Sequence, residues 1–168
     1  MTTNSTQALL ATLMSRELRA LRREVERYPD DEAPWRELPG VSNAGGTLVL
    51  HLAGNLQHYV GARLGDTGYR RDRPAEFARR GVPRAELLAE IDRTQDVVER
   101  VLPSLPDERL DAPYPETVAG RTMITRDFLV HLLSHLAYHL GQVDYHRRIA
   151  TADAATVDAI AVSELGVP

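Results

Sequence analysis

The sequence contains no cysteine, no lysine and few aromatic residues. The absence of cysteine excludes disulfides, thiolate metal ligands and a cysteine nucleophile, so any metal must be bound by nitrogen or oxygen atoms. All 20 basic residues are arginine, which we attribute to the coding composition of the source and not to a function. Aromatic residues make up 5% of the chain, and Leu, Ala and Val supply most of the 43% that is apolar. This composition favours packed helices over a β-sandwich and predicts an all-α protein.

The chain also lacks a long apolar run, because histidine, Asn55 or Gln57 interrupts the longest ones. We find no basic segment followed by an apolar one near the N-terminus. The net charge of -4 gives no overall attraction to nucleic acid or to an anionic membrane. We therefore expect a cytoplasmic protein that acts on a small molecule, with no nucleic-acid or membrane partner. A length of 168 residues predicts one domain, 1–168, with its core at about 5–150.

Apolar residues recur at helical spacing in four long segments. The segments predicted to be helices are residues 6–28, 44–64, 83–103 and 126–149. Proline and glycine between 106 and 124 indicate a loop with a short hairpin, and the Ala-rich tail after 150 predicts a short helix at 155–165. The fourth long helix is apolar around most of its circumference, so we expect it to be buried on several sides.

Three of these helices begin beside residues that favour a helix start. Ser42 and Asn43 are expected to cap the second long helix, because their side-chain oxygens can accept hydrogen bonds from unpaired N–H groups. Pro83 suits the first position of the third helix. Thr125 is expected to cap the fourth helix in the same way as Ser42 and Asn43 cap the second.

Two histidines of the fourth helix, His135 and His139, are spaced for a shared metal ion. A step of four residues places both on one helix face, about 6 Å apart along the axis. A single histidine in an apolar helix is ordinarily hydrogen-bonded in the core, but two on one face must each find a partner or cost about 1–3 kcal/mol. A divalent ion satisfies both. The third ligand is His51 or His58, and His51 is preferred because its part of the second helix is more apolar.

Other polar residues lie near these helix faces. His131 is one turn before His135, but the drift of the helix turns it about 80° from His139, so we expect it in the core or behind the ligands. His146 is expected at the surface or as a helix-terminus group. Asn55 and Gln142 are candidates for contacts behind the ligands, and hydrogen bonding between helices explains them at least as well.

The run after the second helix is dense in charge, with arginine at Arg70, Arg71 and Arg73. It could receive an anionic thiol or substrate. The favoured alternative is a cluster of ion pairs with Asp72 and Glu76.

Three strings carry a family resemblance: HLAGNLQHYV at 51–60, GYRRDRPAEF at 68–77 and SHLAYHLGQVDYHRR at 134–148. Together they resemble the DinB/YfiT-like superfamily of metal-dependent enzymes over about residues 5–150, closest to a subfamily of uncharacterised function. The resemblance implies a four-helix bundle with an up-down-down-up course and a short C-terminal helical tail, usually dimeric. It also implies a divalent metal held by one histidine of the second helix and two of the fourth, which are His51, His135 and His139 here.

Some relatives are thiol-dependent transferases or isomerases that use bacillithiol, mycothiol or glutathione. We therefore expect a metal-dependent enzyme in which three neutral imidazoles hold Zn or Ni, so that the ion keeps its full charge and acts as a Lewis acid. The expected reaction is thiol-dependent S-transfer or isomerisation, or hydrolysis, with a low-molecular-weight thiol as a possible cofactor. The alternative is a non-catalytic, dimeric metal-binding or stress-associated protein.

Overall fold

The computed structural model describes residues 5–165, and this part of the chain is helical without a regular strand. Its α-helices, in chain order, are α1 Thr6–Glu26, α2 Gly45–Leu56, α3 Arg63–Gly65, α4 Arg73–Ala78, α5 Arg84–Val101, α6 Asp107–Asp111 and α7 Thr125–Thr151. Short 3-10 helices lie at Ala33–Trp35, Leu102–Ser104 and Val162–Leu165. The expected all-α fold with four long helices is confirmed.

The second long helix is continuous but not regular. A π-helical segment, Gln57–Ala62, joins α2 to α3, and the run ends where Asp66 takes a left-handed conformation with φ of 47°. The expected caps at Ser42 and Asn43 are wrong, because the residue that precedes the helix is Ala44 and it makes no side-chain cap.

Contacts between helix ends give the course of the bundle. Gln7, at the start of α1, donates to the carbonyl of Leu105 beyond the end of α5, so these two helices are antiparallel. Glu24, near the end of α1, pairs with Arg147 near the end of α7, so α1 and α7 are parallel.

The second long helix runs against α7. Its first residue, Gly45, lies beside His146 near the end of α7, whereas Tyr59 packs on Phe128 near the start of α7. The four long helices therefore run up, down, down and up in chain order. Both α1 and α2 pack between α5 and α7, which places α1 and α2 on opposite corners of the bundle.

One apolar core extends through all four long helices. Burial of a leucine or isoleucine side chain contributes about 1.5–3 kcal/mol, and the fully buried members include Leu21, Leu52, Leu87, Ile91 and Leu132. Within residues 5–165, none of the helices has both the length and the apolar character that crossing a bilayer requires.

The segment between α5 and α7 contains the expected short hairpin. Isolated antiparallel bridges join Pro113 to Ile124 and Val118 to Arg121. The helix α6, which precedes the hairpin, was not predicted. Thr125 does not cap α7: it is the first residue of the helix, and its hydroxyl donates to the carbonyl of Ala112.

The described part of the C-terminal tail, 152–165, forms a strap without an α-helix, and the short helix expected at 155–165 is reduced to the 3-10 helix Val162–Leu165. Arginine side chains take the backbone carbonyls that a helix would need for its own hydrogen bonds. Arg23 donates to Val157, and Arg147 donates to Ala155. Arg23 also pairs with Glu164 at a distance of 3.1 Å, which fastens the end of the strap to α1.

Candidate metal centre

The antiparallel crossing of α2 and α7 brings the three predicted histidines together. One ring nitrogen from each of His51, His135 and His139 lies within 4.8 Å of the other two. The Nε2 atoms of His51 and His135 are 3.2 Å apart. The ring of His139 is 4.5 Å from the ring of His135 and 5.4 Å from that of His51, centroid to centroid.

The three side chains differ in burial. His51 is 7% exposed, because α4 covers it from outside the bundle. His135 and His139 are half-buried. The cluster is therefore closed toward α4 and accessible along α7.

Hydrogen bonds fix which nitrogen of two of these rings faces the cluster. His51 Nδ1 lies 3.0 Å from Glu76 Oε2, and His139 Nδ1 lies 2.6 Å from Gln142 Oε1. Both oxygens accept hydrogen bonds, so each imidazole donates from Nδ1 and keeps a lone pair on Nε2. His135 Nδ1 is buried, and nothing in residues 5–165 pairs with it.

Two histidines of the cluster, His135 and His139, are favoured in the neutral form. Burial, together with the nearby His139 and His51, lowers the pKa of His135 to about 4. Burial also lowers the pKa of His139, although the hydrogen bond with Gln142 acts in the opposite direction. Neutral histidine is the form that binds metal ions. Converging lone pairs repel one another unless a proton or cation lies between them, so this donor set fits Zn, Ni or Cu.

An ion pair lies directly behind His51. Arg71 donates to both carboxylate oxygens of Glu76, over 2.7 and 2.8 Å. Burial alone would raise the pKa of Glu76, but hydrogen bonds from Arg71 and His51 hold this pKa below its usual range. Of the ion pairs expected between the arginine run and Asp72 and Glu76, the described residues contain the pair of Arg71 with Glu76, which is buried beside the cluster, whereas Asp72 caps α4.

Sequence reasoning missed the contact between Glu76 and His51 because it missed α4. The signal for this helix was present: Asp72 caps it by accepting from the Ala75 amide, and proline stands in its first turn. The same helix places Phe77 against His51, with ring centroids 4.9 Å apart.

The remaining candidates stand outside the cluster. His58 Nε2 lies 3.0 Å from Glu116 Oε2 on the hairpin. His131 is exposed and stacked on Phe128, so its expected place in the core is wrong. Asn55 is 7% exposed, and its Oδ1 has no hydrogen-bond partner in the described residues.

His146 lies near the end of α7 but is buried, so the expectation of a surface position is wrong. It is 1% exposed, with Nδ1 2.7 Å from the Tyr28 hydroxyl and Nε2 2.9 Å from the Arg36 carbonyl oxygen. The segment after α1 folds over the end of α7 and covers it. Both nitrogens of His146 are therefore paired within the protein, away from the three-histidine cluster.

A comparison with known protein families covers the part of the chain that forms this cluster. The family model of the DinB superfamily matches residues 13–143, a range that includes His51, His135 and His139. Searches of curated proteins and of solved structures each gave no match. Because the family model spans most of the sequence, the chain belongs to the DinB superfamily.

Proposed function

We propose that this protein is a divalent-metal-dependent enzyme that binds Zn or Ni through His51, His135 and His139. The observation that carries the proposal is the convergence of three ring nitrogens within 4.8 Å. We further propose that it catalyses thiol-dependent S-transfer or isomerisation of a small molecule. Hydrolysis is the alternative reaction.

Each residue of the centre has a separate role in this proposal. The three histidines contribute neutral nitrogen donors, and Gln142 holds the ring of His139 by accepting from Nδ1. A bound divalent ion would supply Lewis acidity, which lowers the pKa of a thiol or water that binds it. The half-buried His135 and His139 leave one side of the site accessible to a small molecule.

The nearby carboxylates are already paired with other side chains, so neither is available as a general base. This supports a thiol over water as the nucleophile. In residues 5–165, Glu76 is the one carboxylate hydrogen-bonded to any of the three histidines; it contacts His51, and Arg71 donates to both its oxygens. Glu116 is likewise engaged by Arg63 and His58. A free thiol has a pKa of about 8.5 and ionises at a metal without a general base.

A cavity next to Gln142 has room for part of a small substrate. It has a volume of about 210 Å³ and is lined by Val41, Leu48, Tyr145 and Ile149 together with polar side chains. Ligand pockets usually measure about 300–1,000 Å³, so this cavity suits a small apolar group. We propose that it receives the apolar part of the substrate while the reacting group lies at the histidines.

We also propose a homodimer formed through α7. The outer face of this helix exposes four large apolar side chains: Val130, Tyr138, Tyr145 and Ile149. A stable interface there would bury more than about 1,000 Å² in total.

Light scattering tests the dimer: it should give twice the monomer mass at micromolar concentration, and Tyr145→Arg should shift the protein toward monomer. The control Leu9→Arg, on the exposed face of α1, should remain dimeric; a stable monomeric parent would contradict the proposal.

The enzymatic proposal is tested by turnover of metal-loaded protein. Protein freed of metal and reloaded with Zn or Ni should consume one of several low-molecular-weight thiols in the presence of small electrophiles, and His135→Ala should not. Stoichiometric metal without turnover of any thiol or ester would favour the non-catalytic alternative. The cytoplasmic location stays a prediction from composition.

A further inference from the structure

We propose that Glu76 is a positioning residue of the metal site. It is held in place by Arg71 and accepts the Nδ1 hydrogen of His51, so that His51 Nε2 is turned toward His135 and His139. This inference rests on the proposed function only in taking a metal ion as the ligand of Nε2.

The ion pair leaves Glu76 in one orientation. Arg71 Nε donates to Oε1 and Arg71 Nη2 donates to Oε2, with both side chains at most 10% exposed. Two parallel hydrogen bonds of this kind fix the plane of a carboxylate as well as its position. The remaining acceptor capacity of Oε2 is taken by His51 at 3.0 Å. Arg71 is itself packed over the ring of Tyr59, 5.5 Å from its centroid.

The absence of a side chain at Gly54 allows the Glu76 carboxylate to lie close to α2. A Cβ atom built on Gly54 would lie 2.2 Å from Glu76 Oε1 and 2.8 Å from its Cδ, distances that real Cβ atoms do not adopt. Glycine inside a helix costs about 1 kcal/mol relative to alanine. This glycine in the last turn of α2 therefore serves the close packing of the carboxylate of α4, independently of the hydrogen bonds.

The three histidines are consequently held to different degrees. At Nδ1, His51 has a buried, ionised acceptor and His139 has a neutral amide, whereas His135 Nδ1 has no partner in the described chain. A carboxylate on Nδ1 selects the Nδ1–H tautomer and makes Nε2 a stronger donor. Glu76 thus prepares His51 before an ion arrives.

The first test reads the tautomer of His51 without metal. Long-range 1H–15N NMR of the metal-free protein should show His51 protonated at Nδ1 and unprotonated at Nε2. Gly54→Ala, which keeps both charges but displaces the carboxylate, should shift His51 toward a mixture of tautomers. Glu86→Gln is the matched control, since Glu86 forms an exposed pair with Arg79 in the same region, and it should leave the spectrum of His51 unchanged.

The second test measures Zn affinity by chelator competition. Glu76→Gln places an amide N–H against Arg71, and we expect its affinity to fall by roughly 10–100-fold, with a smaller loss in Gly54→Ala and none in Glu86→Gln. Thermal melting of the metal-free variants checks the fold, and Gly54→Ala decides the matter if Glu76→Gln does not fold.

The outcomes separate this inference from the proposed function. Parental tautomer and affinity in both variants would overturn the positioning role, while metal binding by the parent protein would still support the proposed function. A parent that binds no Zn but keeps His51 protonated at Nδ1 would overturn the metal-dependent function and still support the role of Glu76 toward the ring. A parent with His51 protonated at Nε2 would overturn the positioning role whatever its metal content.

Discussion

His146 and the cluster of His51, His135 and His139 both lie where α7 packs against the rest of the protein, but their ring nitrogens have different partners. His146 has a protein partner on each nitrogen, the Tyr28 hydroxyl and the Arg36 carbonyl. In the cluster, the Nε2 atoms of His51 and His135 face each other across 3.2 Å. Burial lowers the pKa of both His146 and His135, so burial alone does not distinguish the two regions. The distinguishing feature is that Nε2 atoms in the cluster meet other imidazole nitrogens, whereas His146 meets a hydroxyl and a carbonyl.

The largest expected effect is the loss of metal from the cluster. His139→Ala should abolish stoichiometric Zn or Ni binding, because two histidines cannot hold the ion well, while the bundle keeps its apolar core. His131→Ala removes an exposed ring outside the cluster and should lower affinity by no more than about 10-fold. Elemental analysis of the two purified variants checks this. If His131→Ala loses its metal and His139→Ala retains it, the ligand assignment on α7 is refuted.

At His146 we expect the opposite result, a loss of stability without a loss of metal. His146→Ala leaves the buried Tyr28 hydroxyl and the Arg36 carbonyl without a partner and opens a small cavity, so the free energy of unfolding should fall by about 2–4 kcal/mol. Metal content should stay at the parental level. Denaturant unfolding of the metal-free protein, with exposed His131→Ala as the control at about ±0.5 kcal/mol, measures the difference. Unchanged stability in His146→Ala would remove the distinction between the two histidine environments.

The histidine cluster was predictable from local spacing, whereas the features that the sequence did not predict depend on long-range packing. The four-residue step between His135 and His139 is a property of one helix, so sequence alone places both on one face. The burial of His146 depends on residues more than a hundred positions away, such as Tyr28. Helix α4 lies between these cases: its cap and proline are local signals, but its contact with His51 is not.

The first residues of the helices show the same limit of prediction from local sequence. Pro83 stands at the start of α5 but immediately before its first residue, Arg84, one position earlier than expected. The Thr125 hydroxyl donates to the Ala112 carbonyl instead of capping α7. A hydroxyl can satisfy either role, and the hairpin that brings Ala112 close decides between them. Side-chain chemistry therefore predicted where helices begin more reliably than which groups cap them.

The smallest expected effect is a slope of stability with pH in the metal-free protein. The pKa of His135 falls from an ordinary value of 6.5 to about 4 because the folded protein buries the ring beside His139 and His51. The unfolded chain therefore takes up a proton first as pH falls, so stability should be lost between about pH 6.5 and pH 4 and level off below that range. Replacing His135 with Gln should make this slope shallower, as measured by urea unfolding at a series of pH values.

The same measurement with saturating Zn sharpens the contrast between the two histidine environments. Bound metal adds stability in proportion to the logarithm of its concentration over its dissociation constant, and protons compete with it only at the cluster. Burial lowers the pKa of His146 too, but this residue is outside the cluster. Zn should therefore steepen the pH slope of stability in the parent and in His146→Gln, but not in His135→Gln. An equal response to Zn in both variants would mean that the ion binds elsewhere, because both ring nitrogens of His146 are paired with Tyr28 and Arg36, whereas His135 Nε2 faces another histidine of the cluster.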